Sequence, residues 1–235
     1  VVCPRRRCDY ANHRSAHCGV HGHWTSKGYL MADGIVARRI GLVTGANRGI
    51  GLAICRQLAS NGVTVLLGAR DAAAGEQAAA ALRAEGLDIQ SIRIDTADPQ
   101  SFESARDFLA HKFGHLDILV NNIGMGFDWG HTAADVPMRL LRETFEINFF
   151  SLVDLTQRLL PLIRLSHAGR IVNHSSAIGS LARRADQAAW SEGDWPLAYS
   201  ASKTALNAFT LHLACALRDT RIKVNAAHPG VVNHL

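Results

Sequence analysis

From residue 40 onward, short runs rich in β-branched residues alternate with longer stretches in which apolar residues recur every three or four positions. The short runs, at 40–44, 64–68, 89–93, 118–120, 171–173 and 223–227, have the largely apolar character of strands buried on both faces. The longer stretches predict helices over 51–60, 73–85 and 99–113, a long one within 138–165, and another from about 196 to 218. Asp98-Pro99 supplies a cap and a first helical position for the third of these. Strands that alternate with helices imply a parallel sheet covered on both sides, so the expected fold is α/β, a doubly wound parallel sheet in three α/β/α layers. No internal repeat and no linker divides this body.

The first strand runs into Thr44-Gly45-Ala46-Asn47-Arg48-Gly49-Ile50-Gly51, after which an amphipathic pattern resumes. Strand, tight turn and helix is the reading. Glycines at 45, 49 and 51 allow a sharp turn, the approach of backbone N–H groups to a pyrophosphate, and close packing of the new helix on its strand. Phosphates would lie at the positive end of that helix. Many strand-to-helix turns need glycine for steric reasons alone, so the turn taken by itself is equally compatible with a fold that binds no nucleotide.

Composition narrows the class. A chain of 235 residues, 48% hydrophobic and 19% charged, can bury one substantial core, and no apolar run reaches membrane-spanning length. The formal net charge of +5 changes meaning once it is located: residues 1–30 set Arg5, Arg6, Arg7, Arg14 and Lys27 against Asp9, and so carry four of the five net charges. The body is nearly neutral, which gives no support to nucleic-acid binding. Residues 1–30 also hold Cys3, Cys8 and Cys18 with His13, His17, His21 and His23, but the spacing matches no paired Cys-x-x-Cys site. They lack the apolar centre of a secretory signal and any helix or strand period. We read them as a disordered or foreign leader, a translated upstream stretch, with an ordinary start at Met31, a single domain over 31–235, and no metal site. Cys55 and Cys215 lie in apolar helical patterns and are read as buried thiols of a reducing, cytoplasmic compartment.

Five separated pieces stand in order along the body: Thr44 to Gly51, Asn121-Asn122-Ile123-Gly124, Asn148, Ser175-Ser176-Ala177-Ile178-Gly179, and Tyr199-Ser200-Ala201-Ser202-Lys203. Together they resemble the short-chain dehydrogenase/reductase family over about residues 40–230, with His228-Pro229-Gly230 where the family carries Pro-Gly after its sixth strand. Gly68-Ala69-Arg70-Asp71 and the long approach to Tyr199 are most similar to carbonyl reductases. The resemblance implies a Rossmann fold, a nicotinamide cofactor, and a small carbonyl or alcohol substrate handled by a monomer or homodimer. It implies that Asn148, Ser176, Tyr199 and Lys203 carry the chemistry. The cofactor would be held by Gly45, Asn47, Arg48, Gly49, Ile50, Gly51, Arg70, Asn122, Gly124, Tyr199, Lys203, Pro229, Gly230 and Val232, with Asp95 and Thr96 at the adenine.

The residue types agree with that chemistry on independent grounds. Tyr199 and Lys203 are four apart on an expected helix, so they share a face. A phenol has an ordinary pKa near 10, and a neighbouring ammonium together with the positive oxidised nicotinamide favours phenolate, which predicts a lowered value for Tyr199. Tyr199 can then protonate a carbonyl oxygen that gains charge while the Ser176 hydroxyl holds it, and Asn148, by the resemblance, holds the water through which Lys203 reaches solvent protons. Lys203 could also bind the nicotinamide ribose hydroxyls. Each has a plain alternative: a surface pair for Tyr199 and Lys203, a strand end for Ser175 and Ser176, a buried polar residue satisfying backbone groups for Asn148. Ser176 is chosen over Ser175 because it stands three before Gly179. Phe127, Trp129, Trp190 and Trp195 are candidates for a pocket wall, with core or cover as the alternative.

Charge selects NADP over NAD. The second strand leads to Arg70 where an NAD site presents a carboxylate to the ribose, and Arg48 sits inside the glycine turn. Two arginines suit a 2′-phosphate, and Asp71 is better placed as the cap of the next helix. Three departures from the family pattern are visible. Ile123 replaces the usual alanine beside the cofactor, the connection over 177–198 with Arg183, Arg184, Asp186, Glu192 and Asp194 is long enough to cover an oligomerisation face, and the sheet is expected to lack the family's seventh strand. The leading expectation is therefore an NADPH-dependent oxidoreductase of small carbonyls. The competing readings are a truncated NADP-binding protein with little or no turnover, and a metal- or nucleic-acid-binding module built on the leader.

Overall fold

The computed structural model describes residues 38–185 and 196–230, with the backbone of three short strands nearer the start. Those strands, Trp24–Thr25, Gly28–Leu30 and Val36–Ala37, form a small antiparallel sheet that the lack of any alternating pattern did not anticipate. Expectations that rest on the leader's cysteines and histidines, on Trp190 and Trp195, on Asp186, Glu192 and Asp194, and on Val232 lie outside the described residues.

The body is built on six strands: β1 (Arg39–Val43), β2 (Val63–Ala69), β3 (Ile89–Arg93), β4 (Ile118–Asn121), β5 (Arg170–His174) and β6 (Lys223–Ala227). They pair in parallel in the order β3-β2-β1-β4-β5-β6, with Leu42 opposite both Leu66 and Leu119. This is the doubly wound sheet expected from the alternation of patterns. The order reverses between β1 and β4, which opens a crevice at their carboxyl ends.

Alternation along each strand decides which layer a residue joins. Leu42, Leu66 and Leu119 face a core shared with Leu109, Leu155 and Leu159, while Val43, Val65, Leu67 and Val120 face another with Cys55, Ala59, Ala79 and Leu82. Helices α1 (Gly49–Ser60) and α2 (Ala72–Ala84) therefore cover one face, and α3 (Pro99–Phe113) and α5 (Ser151–Arg164) the other. All seven residues of β2 are buried, as a strand covered on both sides requires, and each fully buried leucine contributes roughly 1.5–3 kcal/mol. Strand β6 instead alternates, with Val224 inward and Lys223 and Asn225 exposed.

Local sequence fixes several helix ends. Asp71 accepts hydrogen bonds from the N–H groups of Ala73 and Ala74 at 2.8 and 3.0 Å, and Asp98 caps α3 with Pro99 in its first turn and Gly114 left-handed beyond its end. The stretch expected as one long helix is instead divided: α4 (Met138–Phe145) passes through a single π turn, Glu146–Phe150, before α5 begins. Such insertions are frequent at functional sites, and here the turn carries Asn148. A short 3₁₀ turn (Ala177–Gly179) and α6 (Leu181–Ala185) lead toward the long helix α7 (Leu197–Ala216). Cys55 is buried as expected. Cys215 is exposed, because apolar spacing near the end of α7 puts it on the outer side of the last turn. Among the described residues no helix is long and apolar enough to cross a membrane.

Candidate active site

The carboxyl ends of β1 and β4 are laced together. Thr44 Oγ1 accepts from the backbone N–H groups of Asn122 and Ile123 at 3.0 and 3.2 Å, while Asn122 Nδ2 donates to the carbonyls of Thr44 and Gly45 at 3.0 and 3.1 Å. The turn that follows is shaped by its glycines. A Cβ on Gly51 would stand 2.6 Å from the Gly45 carbonyl oxygen and 2.8 Å from Ala46 Cα, so α1 closes on the turn only without one. Gly49 has φ +58° and would meet nothing within 4 Å, which leaves the mouth of the helix open. Ile123 packs against Gly45 and the core beneath the turn, so the larger side chain is directed below the open mouth.

Arg48 stands at the N-cap of α1 and makes no side-chain capping bond. The first-turn N–H groups of that helix are thus left without a side-chain acceptor, and the helix dipole places partial positive charge there. Asn47 and Ile50 flank this mouth half-buried, and Arg48 and Arg70 are both exposed. No ion pair within the described residues engages either arginine. Asp71, which follows Arg70, is committed to its own helix. The uncapped mouth and the two arginines fit the diphosphate and 2′-phosphate of a dinucleotide. Asp95 is more occupied than expected, since its carboxylate accepts from Arg93 at 2.7 Å and from the Ala97 N–H at 3.1 Å. Thr96 lines a small recess beneath it with Thr44 and Ile123. Pro229 and Gly230 lie exposed just past β6, with Gly230 at φ +85°.

At the other side of the crevice, Tyr199 and Lys203 do share one face of α7, with Lys203 Nζ 5.6 Å from the centre of the phenol ring. Lys203 is 2% exposed and donates to the His174 carbonyl at 2.7 Å. Burial pulls its pKa from 10.5 down to about 8, so it remains mostly protonated at neutral pH. Gly124 makes room for it, because a Cβ there would stand 3.0 Å from Nζ.

The protein groups alone do not lower the Tyr199 pKa. It is raised above 10.0, because burial of the phenol outweighs the hydrogen bond from Ser176 that favours the phenolate. The sequence shows the neighbouring ammonium but not the desolvation. The two serines differ in their partners: Ser175 is buried and donates to Asn207 Oδ1 at 2.7 Å, whereas the Ser176 hydroxyl oxygen accepts from the Ile178 N–H at 3.4 Å and lies near the Tyr199 phenol. Asn148 is fully buried, and its amide clamps the neighbouring loop by donating to Met125 O and accepting from Met125 N, both at 2.8 Å. It also donates to Ser202 Oγ at 3.0 Å, and Ser202 in turn donates to the Tyr199 carbonyl.

Two further residues escape sequence reasoning. Asp128 is fully buried, and its carboxylate accepts from the N–H groups of Ala198 and Tyr199 at 2.6 and 3.4 Å, capping α7 from 70 residues away. His174 ends β5 with Nδ1 2.8 Å from Asn122 Oδ1. Since the Asn122 amide nitrogen already donates to two carbonyls, its oxygen must accept, and the proton lies on Nδ1 of His174. His174 therefore joins the glycine turn through its ring and Lys203 through its carbonyl. The only advance signal was a polar residue inside a buried strand.

Burial, then Lys203, then His228 hold the His174 pKa down, from 6.5 to about 4. The unfolded chain takes up that proton first on acidification, so this group withdraws stability as pH falls from about 6.5 toward 4. Melting temperature is expected to drop across that window. His174→Asn, which keeps a donor for Asn122 but does not titrate, should flatten the decline; equal slopes in the two proteins would contradict the assignment.

Comparison with known proteins agrees with this geometry. A family profile described as short chain dehydrogenase matches residues 39–234. Short-chain dehydrogenase/reductase 1 of Saponaria officinalis is 33% identical over 84% of this chain and 83% of its own. Carbonyl reductase [NADPH] 1 of Mus musculus is 43% identical over 60% of this chain and 50% of its own. The solved Pseudomonas aeruginosa RhlG/NADP active-site complex superposes with a TM-score of 0.71 at 33% identity, over 84% of this chain and 73% of the other. With a six-stranded parallel sheet, an open glycine turn and this extent of likeness, the chain belongs to the short-chain dehydrogenase/reductase family of oxidoreductases.

Proposed function

We propose that the protein is an NADPH-dependent reductase of small, largely apolar aldehydes or ketones. The observation that carries this reading is the buried Lys203 ammonium 5.6 Å from the centre of the Tyr199 ring, fixed by its hydrogen bond to the His174 carbonyl at the end of β5. The cofactor supplies the hydride. Its phosphate groups would be held by the N–H groups of residues 47–51 and by Arg48 and Arg70, and Asn122, Gly124 and Lys203 would line its way toward Tyr199.

Each side chain then has one task. Ser176 donates to the carbonyl oxygen and orients it. Tyr199, whose burial favours the neutral phenol, delivers the proton as negative charge develops on that oxygen. Lys203 stabilises the phenolate left behind. Asn148 works mainly by position: both amide hydrogens are spent, and one lone pair of its oxygen remains to hold a water for the return of protons. The likeness to the carbonyl reductases named for NADPH supports the same cofactor. Loss of NADPH absorbance against a panel of carbonyl compounds tests the reading. Oxidation of NADPH that depends on the carbonyl supports it, and no turnover with any member overturns it.

A further inference from the structure

An indole face stands open beside the phenol. Trp129 is 61% exposed although its ring lies 6.2 Å from that of Tyr199, tilted by 34°. The arrangement is built rather than loose. A Cβ on Gly126 would stand 3.0 Å from Trp129 Nε1 and 3.2 Å from Tyr199 Cδ2, so the missing side chain at Gly126 is what lets the two rings approach. The loop is fastened at both ends: Asn148 clamps Met125, and the buried Asp128 carboxylate holds the first turn of α7.

Asp128 also answers a local deficit. The residue before α7 is Pro196, which makes no side-chain capping bond, so the helix carrying Tyr199 takes its acceptor from the loop. Trp129 follows Asp128 directly, and the capping bonds therefore set where its indole stands relative to the phenol. Met125 and Leu181, 46% and 69% exposed, add apolar surface in the segments that flank the site.

We propose that Trp129 is the specificity-determining wall of this site, that its indole stacks on a planar ring attached to the substrate carbonyl, and that Asp128 is the positioning residue that holds the wall in place. The preferred substrate class is an uncharged aryl or conjugated ketone or aldehyde, because a broad aromatic face rewards planar apolar groups and offers little to a short aliphatic chain. The inference rests on the reductase reading and narrows it.

Acetophenone and 2-butanone are suitable probes, compared by kcat/KM with NADPH. Trp129→Ala is expected to lower the acetophenone-to-butanone ratio about ten-fold or more, and Trp129→Phe to keep it within about three-fold of the parent. Asp128→Asn keeps the volume but replaces an acceptor with a donor facing N–H groups; it should raise KM for acetophenone more than it changes kcat, with NADPH affinity preserved. An unchanged ratio in Trp129→Ala overturns the wall, and an unchanged KM in Asp128→Asn overturns the anchor, while carbonyl reduction itself would stand. Acetophenone binding to the NADP-saturated protein, followed by ligand-detected NMR, separates the two levels of failure. If neither ketone nor any other member of the carbonyl panel turns over, the reductase reading falls, and equal binding of acetophenone to parent and Trp129→Ala would remove the wall as well.

Discussion

Replacing Tyr199 by phenylalanine is expected to lower kcat by about a thousand-fold, within the range spanned by general acids, and to leave the NADPH dissociation constant within about two-fold. The substitution removes one hydroxyl. The ring that packs beside Trp129 and under Lys203 Nζ is retained, so the loop, the lysine and the glycine turn have no reason to move. Ser176→Ala should cost less, about a hundred-fold, because it removes one donor to the developing oxyanion and leaves the proton source in place. Single-turnover rates with saturating NADPH, and fluorescence titration of the cofactor, give the two quantities separately. A phenylalanine variant that retained most of its turnover would mean that another group protonates the product. Loss of NADPH binding in that variant would show instead that the phenol serves the cofactor.

What the sequence made legible was local. The glycine spacing at 45, 49 and 51, the Asp71 cap and the pairing of Tyr199 with Lys203 one helical turn later depend on neighbours a few residues away. Short-range geometry alone dictates them. The parallel pairing of the strands followed from the alternation of patterns because parallel strands need crossovers, whereas their order did not. Asp128 was not legible, since a carboxylate that caps a helix 70 residues later has no local spacing to betray it. His174 was hidden in the same way, with its partner Asn122 lying 52 residues earlier, just past the end of a neighbouring strand. The π turn at Asn148 was invisible because one inserted residue leaves the apolar period of the surrounding helices nearly intact. The opposing effect of burial on Tyr199 was hidden for a different reason. A charge four residues away can be read from sequence, but the desolvation that opposes it exists only once the helix is packed.

Removing Arg48 and Arg70 together, as Arg48→Ser and Arg70→Ser, is expected to weaken NADPH binding by about a hundred-fold and NADH binding by no more than about three-fold. Two charge-assisted contacts to a phosphate could give more, but both side chains are exposed, and solvent and salt reduce what each delivers. For the same reason the preference of the parent protein for NADPH should shrink as ionic strength rises. Asp71 supplies the control. If it were the acid that selects NAD by binding the ribose hydroxyls, Asp71→Ala would shift the preference further toward NADPH. Its carboxylate is instead engaged by the N–H groups of Ala73 and Ala74, so the substitution should cost about 1 kcal/mol of stability and leave the cofactor ratio where it was. Fluorescence titrations with both cofactors on the parent and the two sets of variants decide between these roles. Equal affinity of the parent for NADPH and NADH would show that the arginines do not face the 2′-position at all, and a changed ratio in Asp71→Ala would return the acid to the ribose.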